Sequence, residues 1–250
     1  MRMVAERNSL AQEINELQAK YSLLQFDVSE DGHASVHGIL QFNADHNGKQ
    51  ASGEYEIKID IPADYPNSVP VAFETGGQIA EDFHQYPSGA LCLGAPLAVR
   101  QTFQKSRTLL CFVENLLIPY LFSHAYHEEH GEMPFGELEH GISGLVDFYE
   151  KLLHTNLPGI LNLLRILADG RKRFRSYLSC PCNSGHLLGE CHGRQIEELW
   201  TIMQPKEFAK ELMDILRFLK KICPDIDSKQ YLPYKTARKQ RAKRRKQRPR

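Results

Sequence analysis

The sequence predicts an α+β fold, an antiparallel meander sheet with flanking helices followed by a helical region that carries a small cysteine-rich motif. Three observations predict it. An amphipathic helix opens the chain, with Leu10, Ile14, Leu17 and Tyr21 recurring at three- and four-residue steps. The stretch "GEYEIKIDIP" then alternates strictly, with Tyr55, Ile57, Ile59 and Ile61 on one face and Glu56, Lys58 and Asp60 on the other. That period of two marks a half-buried antiparallel strand. Beyond residue 105 the apolar residues return to helical spacing.

Each element follows in order. "HASVHGILQF" is a first strand, and "NADHNGKQASG" is the loop of a hairpin by its Asn-Gly and Ser-Gly pairs. Pro62 ends the second strand, "PADYPNSVP" is a proline-punctuated turn, and "VAFET" is a third, short strand. From Gly76 to Ala98 periodicity disappears, and glycines and prolines set a long irregular loop. "TFQKSRTLLCFVENLLIPYLF" is a packed helix through Leu109, Leu110, Val113, Leu116 and Leu117, with Cys111 as a core residue. "SGLVDFYEKLLH" and "LPGILNLLRILA" are two more helices separated by Pro158-Gly159, and "GRKRFRSYLS" links them to the cysteine cluster. A last amphipathic helix, "PKEFAKELMDILRFLKKI", has Pro205 in its first turn.

Composition bounds the partners. With 42% hydrophobic and 25% charged residues the chain is of ordinary soluble composition. The N-terminus lacks the apolar core of a signal peptide, and no apolar run approaches a membrane span. A cytoplasmic protein with no membrane partner is therefore expected, and in a reducing cytosol its six cysteines are expected to be catalytic, metal-binding or buried. The balance of 31 Lys and Arg against 31 Asp and Glu conceals an asymmetry. Residues 238–250, "RKQRAKRRKQRPR", hold nine bases and no acid, leaving 22 bases against 31 acids over 1–237. An acidic body of about −9 thus carries a basic tail, a sequence pattern that suits a disordered arm for nucleic acid or an acidic partner.

"SGALCLG", residues 88–94, raises the question of chemistry. From these seven residues Cys92 reads first as a small core residue, with a nucleophile at the end of a short buried stretch as the other reading. The preceding residues bear on it: Tyr65, Pro66 and Pro70 form a Tyr-Pro-x-x-x-Pro turn, a short strand follows, and a long loop leads to Leu91-Cys92-Leu93 with Gly89 just before. This order resembles the ubiquitin-conjugating enzymes over roughly residues 1–150, most strongly over 55–94. The resemblance implies that Cys92 carries a ubiquitin-like modifier, or another activated protein C-terminus, as a thioester and passes it to a target. It also implies a separate activating enzyme. The family's His-Pro-Asn is replaced by His84-Gln85-Tyr86. His84 is then expected to keep the loop in place, while the oxyanion role of the asparagine falls to backbone N–H groups or a residue from elsewhere. The shortened pattern resembles bacterial relatives of the family, including those encoded in anti-phage islands.

A second motif, "CPCNSGHLLGECHG", brings Cys180, Cys182, Cys191 and His192 together within thirteen residues. Thiolates and an imidazole in this number are what a structural Zn²⁺ prefers, with no position left for a catalytic water. The stretch resembles the SEC-C zinc-binding motif, with Asn183 in place of its usual glycine. In that family the module is a docking element.

The segment "SHAYHEEHGEMPFGELEH" holds His124, His127, His130 and His140; a solvated helix end is the expectation, with a second metal as the other reading. Glu137 and His140 are possible linings of the active site. Cys223 is incidental. The organisation expected is a ubiquitin-conjugating-like domain over 1–150, a helical connector over 151–177, the zinc motif over 178–194, C-terminal helices over 195–228 and the basic tail over 229–250. Two other functions stand beside the conjugating enzyme: a non-catalytic scaffold that binds ubiquitin folds and docks through its zinc module, and a nucleic-acid-binding protein by virtue of the tail.

Overall fold

The computed structural model describes residues 2–30, 32–134 and 141–234. The chain divides into two compact units, Met1–Leu138 and Glu139–Arg250, so the border falls ahead of the helix that spans residue 150.

The first unit opens with helix α1 (Arg2–Lys20), followed by strands β1 (Leu24–Val28), β2 (Ala34–His46), β3 (Lys49–Ile61) and β4 (Val71–Glu74). They form one four-stranded antiparallel sheet in the order β1-β2-β3-β4, a meander. Helix α2 (Pro96–Gln104) comes next, and then a helix over Leu109–His130, α3, interrupted by a π turn at Val113–Leu117. Pro119 lies just beyond that turn and has no N–H to give the carbonyl four residues back, so the ladder is widened where the ring would crowd it.

The predicted helix, hairpin and short third strand are all present, with differences of physical origin. The β2–β3 loop is not eleven residues long: pairing continues to His46↔Lys49, and Asn47-Gly48 alone makes the turn. Both turn residues have positive φ, 54° and 79°, which Asn-Gly tolerates and which matches the twist of a tight hairpin. The extension holds because Ala51 on the inner face packs with Phe122 and Tyr126 of α3. Strand β1 buries only Leu24 along its length and so lacks the alternation that announces a strand. It approaches β2 at Gly38, where a Cβ would lie 2.3 Å from the Leu23 carbonyl oxygen.

The core of this unit joins Ile14 and Leu17 of α1, Leu40, Ile57 and Ile59 of the sheet, and Phe112, Leu117 and Leu121 of α3. Among the described residues α3 is the one helix long and apolar enough to cross a membrane. The expectation that no apolar run reaches that length is corrected here, although most of the apolar window is packed inside the protein.

Among its described residues the second unit holds four α-helices, α4 (Gly141–Leu153), α5 (Leu157–Asp169), α6 (Gly193–Ile202) and α7 (Pro205–Ile222). The break between α4 and α5 lies at residues 154–156 and not at Pro158-Gly159, which sit in the first turn of α5. Proline suits that turn because its missing N–H has no partner to lose. The Asn156 side chain accepts the Gly159 N–H at 3.2 Å and caps the helix. Gln204 and Glu207 form a reciprocal capping box ahead of α7, with Pro205 in its first turn as expected. Leu161, Leu164, Phe208, Leu212 and Ile215 are fully buried, and the Tyr149 hydroxyl donates to the buried Glu211 at 2.5 Å. Residues 228–231, placed by sequence partly in the tail, form a 3₁₀ turn; positions 235–250 lie outside the described residues, as do Glu137 and His140.

Candidate functional site

Cys92 sits in the first unit on the irregular segment between β4 and α2, half-buried, and its surroundings are held by backbone pairing. The Glu74 carboxylate at the end of β4 accepts the N–H groups of Gly76, Gly77 and Gln78 at 2.8–3.1 Å, turning the chain out of the sheet. The chain then returns: Leu91 donates to the Ala72 carbonyl at 2.8 Å, Tyr86 to that of Ala90 at 2.8 Å, and Gln85 bridges to Leu91. Leu91 is buried and paired to β4, while Cys92, the next residue, is half-buried. The two glycines that flank the cysteine have φ of +81° (Gly89) and +136° (Gly94), conformations that L side chains resist.

His84 is drawn to Cys92, but through its backbone. Its carbonyl accepts the Cys92 N–H at 2.7 Å, and its φ of 44° is unusual for a residue with a side chain. The imidazole itself packs edge-on against Phe83 with centroids 5.3 Å apart. Tyr120, which sequence reasoning did not select, and His124, which it placed in a solvated helix end, complete the support. The Tyr120 hydroxyl donates to the Phe83 carbonyl at 2.9 Å. Burial, then the neighbouring Cys92 and Glu74, raise this phenol well above the usual tyrosine range, so it stays a donor. His124 stacks edge-on with Phe83 at 4.8 Å, and its Nδ1 is hydrogen-bonded to the Tyr55 hydroxyl, 2.8 Å away. Burial chiefly lowers the pKa of His124 and raises that of Tyr55 to about 12, so both are neutral near pH 7. The signal for the pair was the four-residue step between positions 120 and 124, which sets both on one helix face.

The histidine segment is therefore not uniformly a solvated helix end. His124 is buried, whereas His127 and His130 are partly exposed near the end of α3. The Nδ1 of His127 is buried without a hydrogen-bond partner. Cys111 is buried, as predicted, with its thiol accepting from Asn115, and Cys223 is exposed.

In the second unit the four predicted ligands converge. Between Cys180 and Cys182 the thiols are 3.3 Å apart and between Cys182 and Cys191 3.5 Å; the His192 Nδ1 is 3.2 Å from both Cys180 and Cys191. All four ligand atoms lie within 4.8 Å of one another, the one such group of His, Cys, Asp and Glu among the described residues. A tetrahedron with ligands about 2.3 Å from its centre has edges of roughly 3.8 Å, so this is a metal-sized arrangement. The local fold explains it. Cys180 donates to the His186 carbonyl at 2.9 Å and Leu188 to that of Leu178 at 2.7 Å, forming a small knuckle closed by the Ser179–Leu187 bridge. Asn183 has φ of 62°, the left-handed backbone that asparagine adopts more readily than most residues.

The His192 Nε2–H donates to the Leu153 carbonyl at 2.7 Å, which leaves Nδ1 as the lone-pair nitrogen facing the thiols. Burial pushes the Cys180 thiol up, to about 12. Burial also opposes ionisation of Cys182, but hydrogen bonds from the Ser184 side chain, from Cys180 and from the Ser184 backbone outweigh it and bring that thiol to about 6. These four side chains can hold a metal ion. No protein-family model and no curated protein sequence matches the chain.

Proposed function

We propose that the first unit is a conjugating enzyme of the ubiquitin-conjugating type, with Cys92 as its acyl carrier, and that Cys180, Cys182, Cys191 and His192 hold a structural zinc ion in a docking module. The observation that carries the reading is the pinning of Cys92. A four-stranded antiparallel meander ends in a loop that returns to pair with β4, and the cysteine's N–H is tied to the His84 carbonyl while its thiol stays half-buried. A buried packing cysteine needs no such segment; Cys111, inside a helix, has none.

The chemistry asks little of the protein. The Cys92 thiolate attacks the carbonyl of a C-terminal thioester carried by the activating enzyme. The tetrahedral intermediate collapses, the new thioester forms on Cys92, and the activating enzyme's thiolate leaves. A target amine then attacks the carried carbonyl, expels the Cys92 thiolate and loses a proton, giving an amide. Because the acyl group arrives activated, positioning and stabilisation of the oxyanion carry the catalysis. His84 contributes through its carbonyl, and Tyr120 holds the adjacent Phe83 carbonyl, so both act as positioning residues. A zinc ion held by Cys180, Cys182, Cys191 and His192 would supply a structural cross-link for the knuckle and no step of this chemistry. Cytoplasmic function in a bacterial, ubiquitin-like conjugation or anti-phage system belongs to the same reading.

The test is incubation of the full chain with a modifier, its activating enzyme and ATP, followed by gel analysis with and without reductant. A reductant-sensitive adduct is expected with the parent chain and with Cys111→Ser, and an oxyester or no adduct with Cys92→Ser. Equal loss from both substitutions overturns the assignment of a specific nucleophile.

A further inference from the structure

The conjugating chemistry leaves one strongly charged region of the second unit unused. Arg171, Lys172, Arg173 and Arg175 occupy a 3₁₀ turn and the residues just after it, and all four are exposed. The Arg171 guanidinium lies 5.8 Å from the centre of the Trp200 ring, and that of Arg173 lies 3.3 Å from the centre of the Tyr234 ring. Arg175 donates to the carbonyls of Lys172 and Phe174 at 3.2 and 2.9 Å. Among the described residues these arginines are held by ring faces and carbonyls and pair with no carboxylate, so their positive charge is available to a ligand. Tyr177, two residues beyond Arg175, is 67% exposed, and Tyr234 is 44% exposed.

Tyr234 is also where the basic tail departs. Its N–H donates to the Asp169 carboxylate at 2.7 Å, and Arg165 holds the Gln230 carbonyl at 2.7 Å. The chain leading into the tail is thus fastened beside residues 171–175. From Lys235 to Arg250 the sequence adds ten cations and no acid. Tyr234, the last described residue before this basic stretch, is itself in contact with Arg173.

We infer that Arg171, Lys172, Arg173, Arg175 and the exposed rings of Tyr177 and Tyr234 form a binding site for single-stranded nucleic acid. Phosphates meet the cations, while bases stack on exposed aromatic rings and on guanidinium planes. The Arg173–Tyr234 pair presents a flat cation-and-ring unit of the kind that favours a base. Duplex DNA fits less well, because the patch lies on a short turn and an irregular segment and not on a helix that would enter a major groove.

The experiment is fluorescence anisotropy of the full chain with a labelled, mixed-sequence single strand of roughly 20 nucleotides, titrated over a range of salt concentrations. Affinity is expected to fall steeply with salt. Tyr177→Ala is expected to weaken binding about tenfold or more without changing the salt slope, while Tyr177→Trp retains it. Lys172→Gln is expected to lower the slope by about 0.7. Both positions are exposed, and circular dichroism of each variant establishes that the fold is kept. If both Tyr177→Ala and Lys172→Gln bind as the parent does, the body patch is not part of a site and the inference fails. Tighter binding to vesicles of equal parts phosphatidylcholine and phosphatidylserine than to the oligonucleotide also overturns it, in favour of a lipid surface.

Discussion

The two cysteine sites are built on opposite principles. In the knuckle of the second unit three thiols and an imidazole crowd within 4.8 Å, each the nearest neighbour of another. In the first unit, among the described residues, Cys92 belongs to no such group, and its thiol donates to the Gly94 carbonyl at 4.0 Å. Crowded donors repel or protonate one another unless a cation is among them, so convergence points to a metal. A thiol whose backbone is tied down while its sulfur is left open points to an incoming reactant. On the proposed reading one residue type serves two chemistries, and what separates them is the company the sulfur keeps.

Metal removal should separate the sites most sharply. One zinc per chain is expected by native mass spectrometry, from the four-ligand count. Binding at such a site is local folding free energy, on the order of 10 kcal/mol in small zinc modules. Chelation should therefore abolish amide-exchange protection around residues 178–194 while the Cys92 adduct still forms. A zinc-free protein that keeps this protection would break the comparison from the metal side. Loss of the adduct with the first unit still folded would show that the knuckle takes part in docking the activating enzyme.

Cys191→Ser should lower metal affinity and thermal stability of the second unit by several kcal/mol, as the loss of a structural ligand does. Cys111→Ser, in the other unit, should leave metal content unchanged, which metal analysis of the purified variants checks.

Tyr120→Phe is a finer probe. It removes the hydroxyl that holds the Phe83 carbonyl, at a cost of about 1 kcal/mol in stability, read from denaturant unfolding. A larger fall in the rate of thioester formation than in stability would sharpen its role as a positioning residue; an unchanged rate would remove it.

The smallest effect is a pH dependence. Burial keeps His124 neutral in the folded protein, with a pKa below its ordinary value of 6.5. The unfolded chain binds the proton first, so the contribution of His124 is fully present above about pH 6.5 and declines as pH falls towards the folded pKa. His124→Gln should flatten the fall in stability of the first unit across that window, followed by thermal unfolding at several pH values.

Much of this molecule was legible because local patterns and global packing agree. The alternation from Tyr55 to Ile61 is the inner face of β3, and the spacing of Cys180, Cys182, Cys191 and His192 is the metal-sized cluster. What was hidden depends on partners remote in sequence. Strand β1 exists because β2 offers Gly38 for close approach, a fact that lies in the pairing and not in the five residues of the strand. His124 looked like part of a polar helix end because only the fold brings Tyr55 and Phe83 against it. His84 was singled out for its side chain, yet its contact with Cys92 runs through the carbonyl, which every residue has and no sequence pattern marks.

The end of α4 carries a consequence for how the chain is made. The Leu153 carbonyl is satisfied by His192, 39 residues on, and the Leu152 carbonyl by Gln195 at 2.8 Å, 43 residues on. As the polypeptide leaves the ribosome, the last turn of this helix emerges with its carbonyls open to water and stays so through the synthesis of α5 and the whole knuckle. The helix is completed only when the same histidine that turns its other nitrogen to the thiols has been made.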